Sequence, residues 1–272
     1  MSMIACVQMS SGPNLDANLF EAERLIVIAA EQGAKLVLLP ENFAFMGMQE
    51  VDKIAVSETY GDGVIQNFLA QQAVRNKIWI AAGTIPIKTN NANKVRASFL
   101  LYDDHGEVQA RYDKMHLFDV HVTGTDEHYN ESETIEPGDT VVVVDTPLGK
   151  IGMAVCYDLR FPELYRSMID QGMELLLMPS AFTAYTGKSH WEPLVRCRAI
   201  ENQCYVAAAA QGGYHINGRE TYGDSMIVDP WGSILERLPH GSGVICAPIS
   251  SELLSNTRNN FPSIAHRRLR CG

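Results

Sequence analysis

The chain has 272 residues, 46% apolar and 20% charged, which is the make-up of a globular protein large enough to bury most of its surface. Its 22 basic and 32 acidic residues give a formal charge of −10, without any long Lys/Arg run, which argues against nucleic acid or an anionic membrane as a partner. No apolar run reaches the length of a membrane span, and the first residues lack the basic start of an export signal, so the cytosol is the expected compartment.

Short β-rich runs alternate with helical patterns. Ile4–Met9 reads as a strand. After Gly12 and Pro13 a helix follows, with Leu15, Leu19, Ala22, Ile26 and Ala29 on one face and Gly33 closing it. Residues 36–39 form a wholly apolar strand of the kind buried on both faces. Residues 64–76 have helical periodicity, and 78–83 form another buried strand. The runs 95–102 and 108–112 flank Asp103, Asp104, His105 and Gly106, which predicts a hairpin. A second hairpin is predicted between 141–145 and 151–155, turning at Pro147, Leu148 and Gly149. Residues 162–172 read as a helix with proline in its first turn and glycine after its end. Strands are expected at 175–178, 205–210, 225–228 and 243–248. Nothing between them looks like a linker, so a single domain over 1–272 is expected, ending in a tail from about 251. The basic cluster Arg267, Arg268 and Arg270 reads as part of that solvated tail.

The six cysteines, at 6, 156, 197, 204, 246 and 271, include no CxxC pair and no accompanying histidine pair at metal-ligand spacing. Neither a disulfide framework nor a metal site is therefore expected; each cysteine is a small buried hydrophobe or a reactive thiol.

One internal echo bears on architecture. Residues 31–43 read EQGAKLVLLPENF and residues 170–182 read DQGMELLLMPSAF. Each copy contains the end of a helix, a turn, a buried strand and a proline. Two similar halves packing their sheets together, with helices outside, would make an α/β four-layer α-β-β-α sandwich. The copies differ after the proline, where the first has Glu41 and the second Ser180.

Three segments place ionisable groups at the ends of apolar strands, where a rigid element positions the group and the next loop leaves room for substrate. In the first, Glu41 follows four apolar residues and Pro40. It reads either as a capping or loop acid or as a partly desolvated general base. In the second, Lys114 follows the first hairpin. It reads as a solvated lysine, or as a cation that favours a thiolate or holds an oxyanion. His116, two residues on, reads as a hydrogen-bonded structural group or as a base. The third segment runs from the small-residue strand ending at Val155 through Cys156 into a tight turn and the helix at Pro162. Such a turn thrusts a nucleophile out of the strand and leaves the next backbone N–H groups free for developing negative charge. The alternative is an inert cysteine at a strand end.

Together the motifs LLPENF, YDKMHLFD and AVCYDLRFPELYR, in this order, resemble the nitrilase superfamily of carbon–nitrogen hydrolases, and the similarity runs from Ala5 to Arg268. The resemblance implies the four-layer fold, a Glu41–Lys114–Cys156 triad, and hydrolysis of an amide through a thioester without metal or organic cofactor. It also implies a second glutamate near the site, for which Glu131 in the run Tyr129 to Ser132 is the candidate. Tyr157, Arg160, Phe182 and Thr186 are the expected substrate-binding residues, with the Tyr157 N–H sharing the oxyanion with Lys114. Within the superfamily the segments Pro179–Phe182, Thr186–Gly187, His190–Glu192, Asn202–Tyr205 and Tyr222–Ser225 are most similar to amidases of 2-oxo acid amides, the deaminated glutathione amidases and ω-amidases. Asp224 departs from the usual histidine and Lys188 from a common proline, which leaves substrate preference open. N-carbamoyl amino acids or aliphatic amides are the alternative substrates, and a silent scaffold on the same fold is the alternative of another class. A small-molecule amide and a homodimer or larger homo-oligomer are the partners that the resemblance implies.

Overall fold

The computed structural model describes residues 1–122 and 127–269. In the first half, β1 (Ser2–Gln8), α1 (Leu15–Glu31), β2 (Leu36–Leu38), α2 (Val64–Asn76) and β3 (Trp79–Ala81) form a β-α-β-α-β unit. Asn14 caps α1 by accepting from Ala17 N at 3.0 Å. The meander β4 (Ile85–Lys88), β5 (Val95–Tyr102) and β6 (Val108–Asp113) follows, then a small hairpin of β7 (Asp119–His121) and β8 (His128–Asn130).

The second half repeats the unit with β9 (Val143–Thr146) and β10 (Gly149–Met153), α3 (Pro162–Asp170), β11 (Leu175–Ser180), α4 (Ala184–Asn202) and β12 (Tyr205–Ala210). It ends with a hairpin of β13 (Gly212–Tyr214) and β14 (Glu220–Tyr222), then β15 (Ser225–Val228), β16 (Ile234–Leu238), β17 (Gly243–Ile249) and α5 (Ser251–Asn260). β1, β2 and β3 are parallel, as are β10, β11 and β12. The first sheet runs β17-β1-β2-β3-β5-β4, with β6 also on β5; the second runs β16-β15-β12-β11-β10-β9. β17 returns to pair antiparallel with β1, Ser2 opposite Ile249.

Side chains alternate across each strand, and this sorts the layers. On β1, Ile4 and Cys6 join a core with Ala207, Ala209 and Met226 of the other sheet, whereas Ala5 and Val7 pack with Leu25, Ile26, Leu69 and Ala73 of α1 and α2. Burying each of those Leu and Ile side chains is worth about 1.5–3 kcal/mol. Tyr165 and Met168 of α3 and Trp191 and Val195 of α4 cover the far side of the second sheet. The result is the expected α-β-β-α order. Both copies of the internal echo occupy the middle strand of their unit, β2 and β11, after a helix that ends at a glycine of positive φ, Gly33 (+83°) and Gly172 (+90°). Each proline then stands at the strand's C-terminal end, beside the site.

The structure differs from the sequence reading in three places. Residues 184–202, to which the sequence reading assigns no element, form α4; Thr183 caps it and Trp191, Val195 and Ala199 make a narrow buried stripe, a pattern obscured by Gly187 and Pro193. Residues from about 251, read as a tail, begin with α5, capped by Ser250 and seated by buried Leu254. Arg267 is not solvated but paired in a fork with Asp170 of α3 at 2.9 and 3.2 Å; Arg270 and Cys271 lie outside the described residues. Among the described residues no helix is long and apolar enough to cross a membrane.

Candidate active site

A pocket opens where the C-terminal ends of β2, β6, β10 and β11 converge, lined by Glu41, Lys114, Glu131, Cys156 and the expected binding residues Tyr157, Arg160, Phe182 and Thr186. Cys156 follows the last apolar residues after β10 and adopts φ +45°, a left-handed conformation that a side chain enters at a cost of about 1–3 kcal/mol. Residues 156–160 then wind into a 3₁₀ turn before Pro162 starts α3. The Tyr157 N–H, next in this elbow, has no hydrogen-bond partner among the described residues.

Asp158 holds the elbow. Fully buried, it accepts from Val155 N at 2.8 Å and Tyr112 OH at 2.7 Å through one oxygen, and from His116 N at 3.1 Å through the other, which also lies 2.6 Å from His116 Nδ1. Tyr112 and His116 flank Lys114, so one carboxylate fixes both the strained turn and the lysine-bearing segment. His116 is stacked on Phe161 at 3.7 Å and held by Asp158, contacts that match the hydrogen-bonded structural reading of this residue.

Lys114 Nζ bridges Glu41 Oε1 and Glu131 Oε1 at 2.8 Å each. Glu131 is fixed in turn by the Phe118 N–H at 2.7 Å. With Lys114 and Glu41 only 2% and 3% exposed, the bridge sits in a low dielectric where charge pairing is strong. Burial opposes the ammonium, but Glu131 and then Glu41 outweigh it and hold the lysine well above its ordinary range. The Cys156 thiol is pushed up by burial first and by the Glu41 carboxylate next, against the pull of Lys114 and the Ala181 backbone. It therefore rests as a neutral thiol, and a base must take its proton during attack. Glu41 is itself anchored: Gln211 Nε2 donates to its carbonyl at 3.0 Å, and Thr84 Oγ1 accepts from Asn42 N at 3.0 Å. Gly83 (φ +60°) passes so close to Pro40 that a Cβ would stand 2.1 Å from the Pro40 oxygen.

Arg160 is tied to neither Asp158 nor Glu163. Its Nη1 lies 3.2 Å from His190 Nδ1, and its guanidinium covers the Phe182 ring at 5.1 Å. Thr186 lies in the first turn of α4, its hydroxyl 2.8 Å from that of Thr183. Asp224 and Lys188, the departures from the expected pattern, do not line the pocket: Asp224 forms a fork with Arg237 at 2.5 and 2.8 Å, and Lys188 is exposed.

The carbon-nitrogen hydrolase family model matches residues 3–259 of the chain. The chain belongs to the carbon-nitrogen hydrolase family. It is 44% identical to the deaminated glutathione amidase of Synechocystis over 97% of both chains. Its fold is similar to that of Saccharomyces cerevisiae Nit3, a member of branch 10 of the nitrilase superfamily, with a TM-score of 0.88, 31% identity, and coverage of 98% of this chain and 97% of that one. It is also similar to the amidase of Nesterenkonia sp. AN1, in a mutant form where acrylamide has added to the active-site cysteine, with a TM-score of 0.80, 26% identity, and coverage of 97% and 100%. This family member is a hydrolase of carbon–nitrogen bonds other than peptide bonds, acting on amides.

All eight residues expected at the hydrolase's site converge on the one pocket. Sequence reasoning missed Asp158 as the elbow's anchor, Gln211 as the support of Glu41, and Arg219, which lines the pocket from the β13–β14 turn. A buried-strand end gave no clue to the first two, whose partners lie tens of residues away.

Proposed function

We propose that the chain is a cysteine amidase of small carboxylate-bearing 2-oxo acid amides, of the deaminated glutathione class, with Glu41 as base, Lys114 as cation and Cys156 as nucleophile. Glu41 takes the thiol proton as Sγ attacks the amide carbon, and the oxyanion is met by the Tyr157 N–H and Lys114. Protonated Glu41 gives its proton to the departing nitrogen and the C–N bond breaks, leaving a thioester on Cys156. Water then enters, Glu41 takes its proton, and the resulting hydroxide attacks the thioester carbon. The C–S bond breaks and the thiolate recovers the proton from Glu41. Glu131 keeps Lys114 in place and charged throughout.

The observation that carries the substrate reading is Arg160. Its guanidinium lies on the pocket wall against Phe182 with no carboxylate partner among the described residues, four residues from the nucleophile, where it can receive a substrate carboxylate in a fork with help from the Thr186 hydroxyl. The names of the similar amidases support the same class. The test is Arg160→Lys assayed on 2-oxoglutaramate and on propionamide. The reading expects a loss of about 10- to 100-fold confined to the charged amide; equal losses on both would show that Arg160 only supports the turn.

The described cysteines are free of disulfides, which supports a reducing compartment such as the cytosol. The exposed apolar cluster of Trp231 and Phe261, with ring centroids 5.7 Å apart and Ile200 beside Gly232, supports assembly into a homodimer or larger.

A further inference from the structure

A guanidinium receives a carboxylate in a fork only when its plane is held at the right angle. Arg160 lies near two rings, its Cζ 5.1 Å from the Phe182 centroid and 5.9 Å from that of Tyr157. These contacts attract the charge but leave it free to turn over the ring faces. A hydrogen bond is directional, and among the described residues Arg160 makes one, from Nη1 to His190 Nδ1 at 3.2 Å. Because a guanidinium only donates, Nδ1 must be the bare nitrogen of a neutral ring whose proton is on Nε2.

Helix α4 fixes where that acceptor stands. Thr186 and His190 are four residues apart on it, so they share a face. The next residue, Trp191, is fully buried; its Nε1–H donates to the Asp224 carbonyl at 2.7 Å, and its ring lies 5.1 Å from that of Phe182. Arg237 grips the Asp224 carboxylate in a fork and reaches Glu192 of α4 at 3.0 Å. Asp224, which stands where a histidine was expected, therefore helps to clamp this turn of the helix. Arg160 lines the pocket, and His190 touches it from an exposed position on the clamped turn.

We propose, resting on the reading of Arg160 as the receiver of a substrate carboxylate, that His190 is the positioning residue for Arg160. The neutral imidazole holds Nη1 and leaves the remaining donors to meet the carboxylate together with the Thr186 hydroxyl. His190 touches no reacting atom. It sets the guanidinium before substrate arrives, so that the cost of ordering a long side chain is not met at binding. An amide that carries a carboxylate gains from this, and an uncharged amide does not.

The test compares His190→Ala, His190→Asn, Arg160→Lys and the double variant of His190→Ala with Arg160→Lys, on 2-oxoglutaramate and on propionamide. His190→Ala should raise KM for 2-oxoglutaramate about 3- to 10-fold, the worth of one hydrogen bond, while kcat on it and kcat/KM on propionamide change less than about twofold. His190→Asn, whose Oδ1 can accept near the position of Nδ1, should restore most of the lost affinity, which a mere disturbance of α4 would not allow. In the Arg160→Lys background His190→Ala should add less than about twofold, since the fork that it sets is already gone. Calorimetric binding of 2-oxoglutarate to Cys156→Ala, with and without His190→Ala, reads the same affinity without turnover: weakening of about 3- to 10-fold supports the assignment, and equal binding overturns it. Equal rises of KM on both amides, or no rescue by His190→Asn, would overturn the role of His190, while a loss confined to 2-oxoglutaramate in Arg160→Lys would leave the carboxylate reading standing. Equal losses on both amides in Arg160→Lys would refute that reading and this assignment with it.

Discussion

Replacing Lys114 by Met keeps the length and most of the volume of the side chain while deleting its charge, and the structure sets what that deletion costs. Two carboxylates approach Nζ at 2.8 Å, with Lys114 and Glu41 2% and 3% exposed and the Glu131 side chain 13%. At an effective dielectric of about 20, each charge pair some 4 Å apart is worth about 4 kcal/mol before desolvation. Removing one partner of such a buried set typically costs about 3–5 kcal/mol of stability, because the charges left behind are uncompensated. On the rate, loss of one oxyanion donor is worth about 10²–10³, and the pull of Lys114 on the Cys156 thiolate is lost with it. Lys114→Met is therefore expected to lower kcat/KM by more than about 10³, which corresponds to at least 4 kcal/mol of transition-state stabilisation. Initial rates of ammonia release from 2-oxoglutaramate would measure this, on protein whose far-UV dichroism and melting curve show that it is folded. A folded variant within tenfold of wild type would refute the reasoning that places Lys114 at the reacting carbon.

Three further outcomes follow from the same geometry. Cys6→Ala and Cys246→Ala should leave most of the activity in place, since neither thiol lines the pocket, whereas loss of activity in both would mean that the nucleophile has been misplaced. Burial raises the thiols of Cys6, Cys156 and Cys204, the last pushed up to about 12, so each stays protonated in the folded chain after it ionises in the unfolded one. A raised folded pKa gives stability that is complete below the unfolded pKa of about 8.5 and lost as pH rises. Denaturant unfolding should therefore weaken above about pH 8.5 by about 1.4 kcal/mol per pH unit for each thiol, and Cys204→Ala should remove one such share of the slope. Prolonged dialysis against a chelator should leave turnover unchanged, and activity restored only by an added divalent ion would contradict the triad mechanism.

What the sequence disclosed and what it hid follow from the range of the interactions. Glu41 and Cys156 stand three residues beyond the buried ends of β2 and β10, and Lys114 directly after β6, so their placement is a local property written in adjacent residues. The four layers were legible because the alternation on β1 and the repeated helix–glycine–strand–proline runs record burial on two faces. Arg219 follows Asn217 and Gly218 in a polar turn, which reads as surface until the fold lays it over Tyr129 and against Ala181. Asp158 carries no local sign of its role, because Tyr112, its partner across the site, lies 46 residues earlier. Helix α4 hid behind Gly187 and Pro193, since its stability comes from packing Trp191 and Val195 on the sheet and not from local propensity. Arg267 likewise lost its solvated reading only when α3 placed Asp170 beside it.

The proposed mechanism stands on a covalent thioester at Cys156. Intact-protein mass spectrometry of enzyme acid-quenched during turnover of 2-oxoglutaramate, followed by peptide mapping, tests it directly. An added 2-oxoglutaryl group is expected on the peptide containing Cys156, removed by hydroxylamine, with neither adduct nor turnover in Cys156→Ala that retains its fold. An acyl group mapped to another residue, or substantial turnover by a verified Cys156→Ala preparation free of wild type, would contradict it.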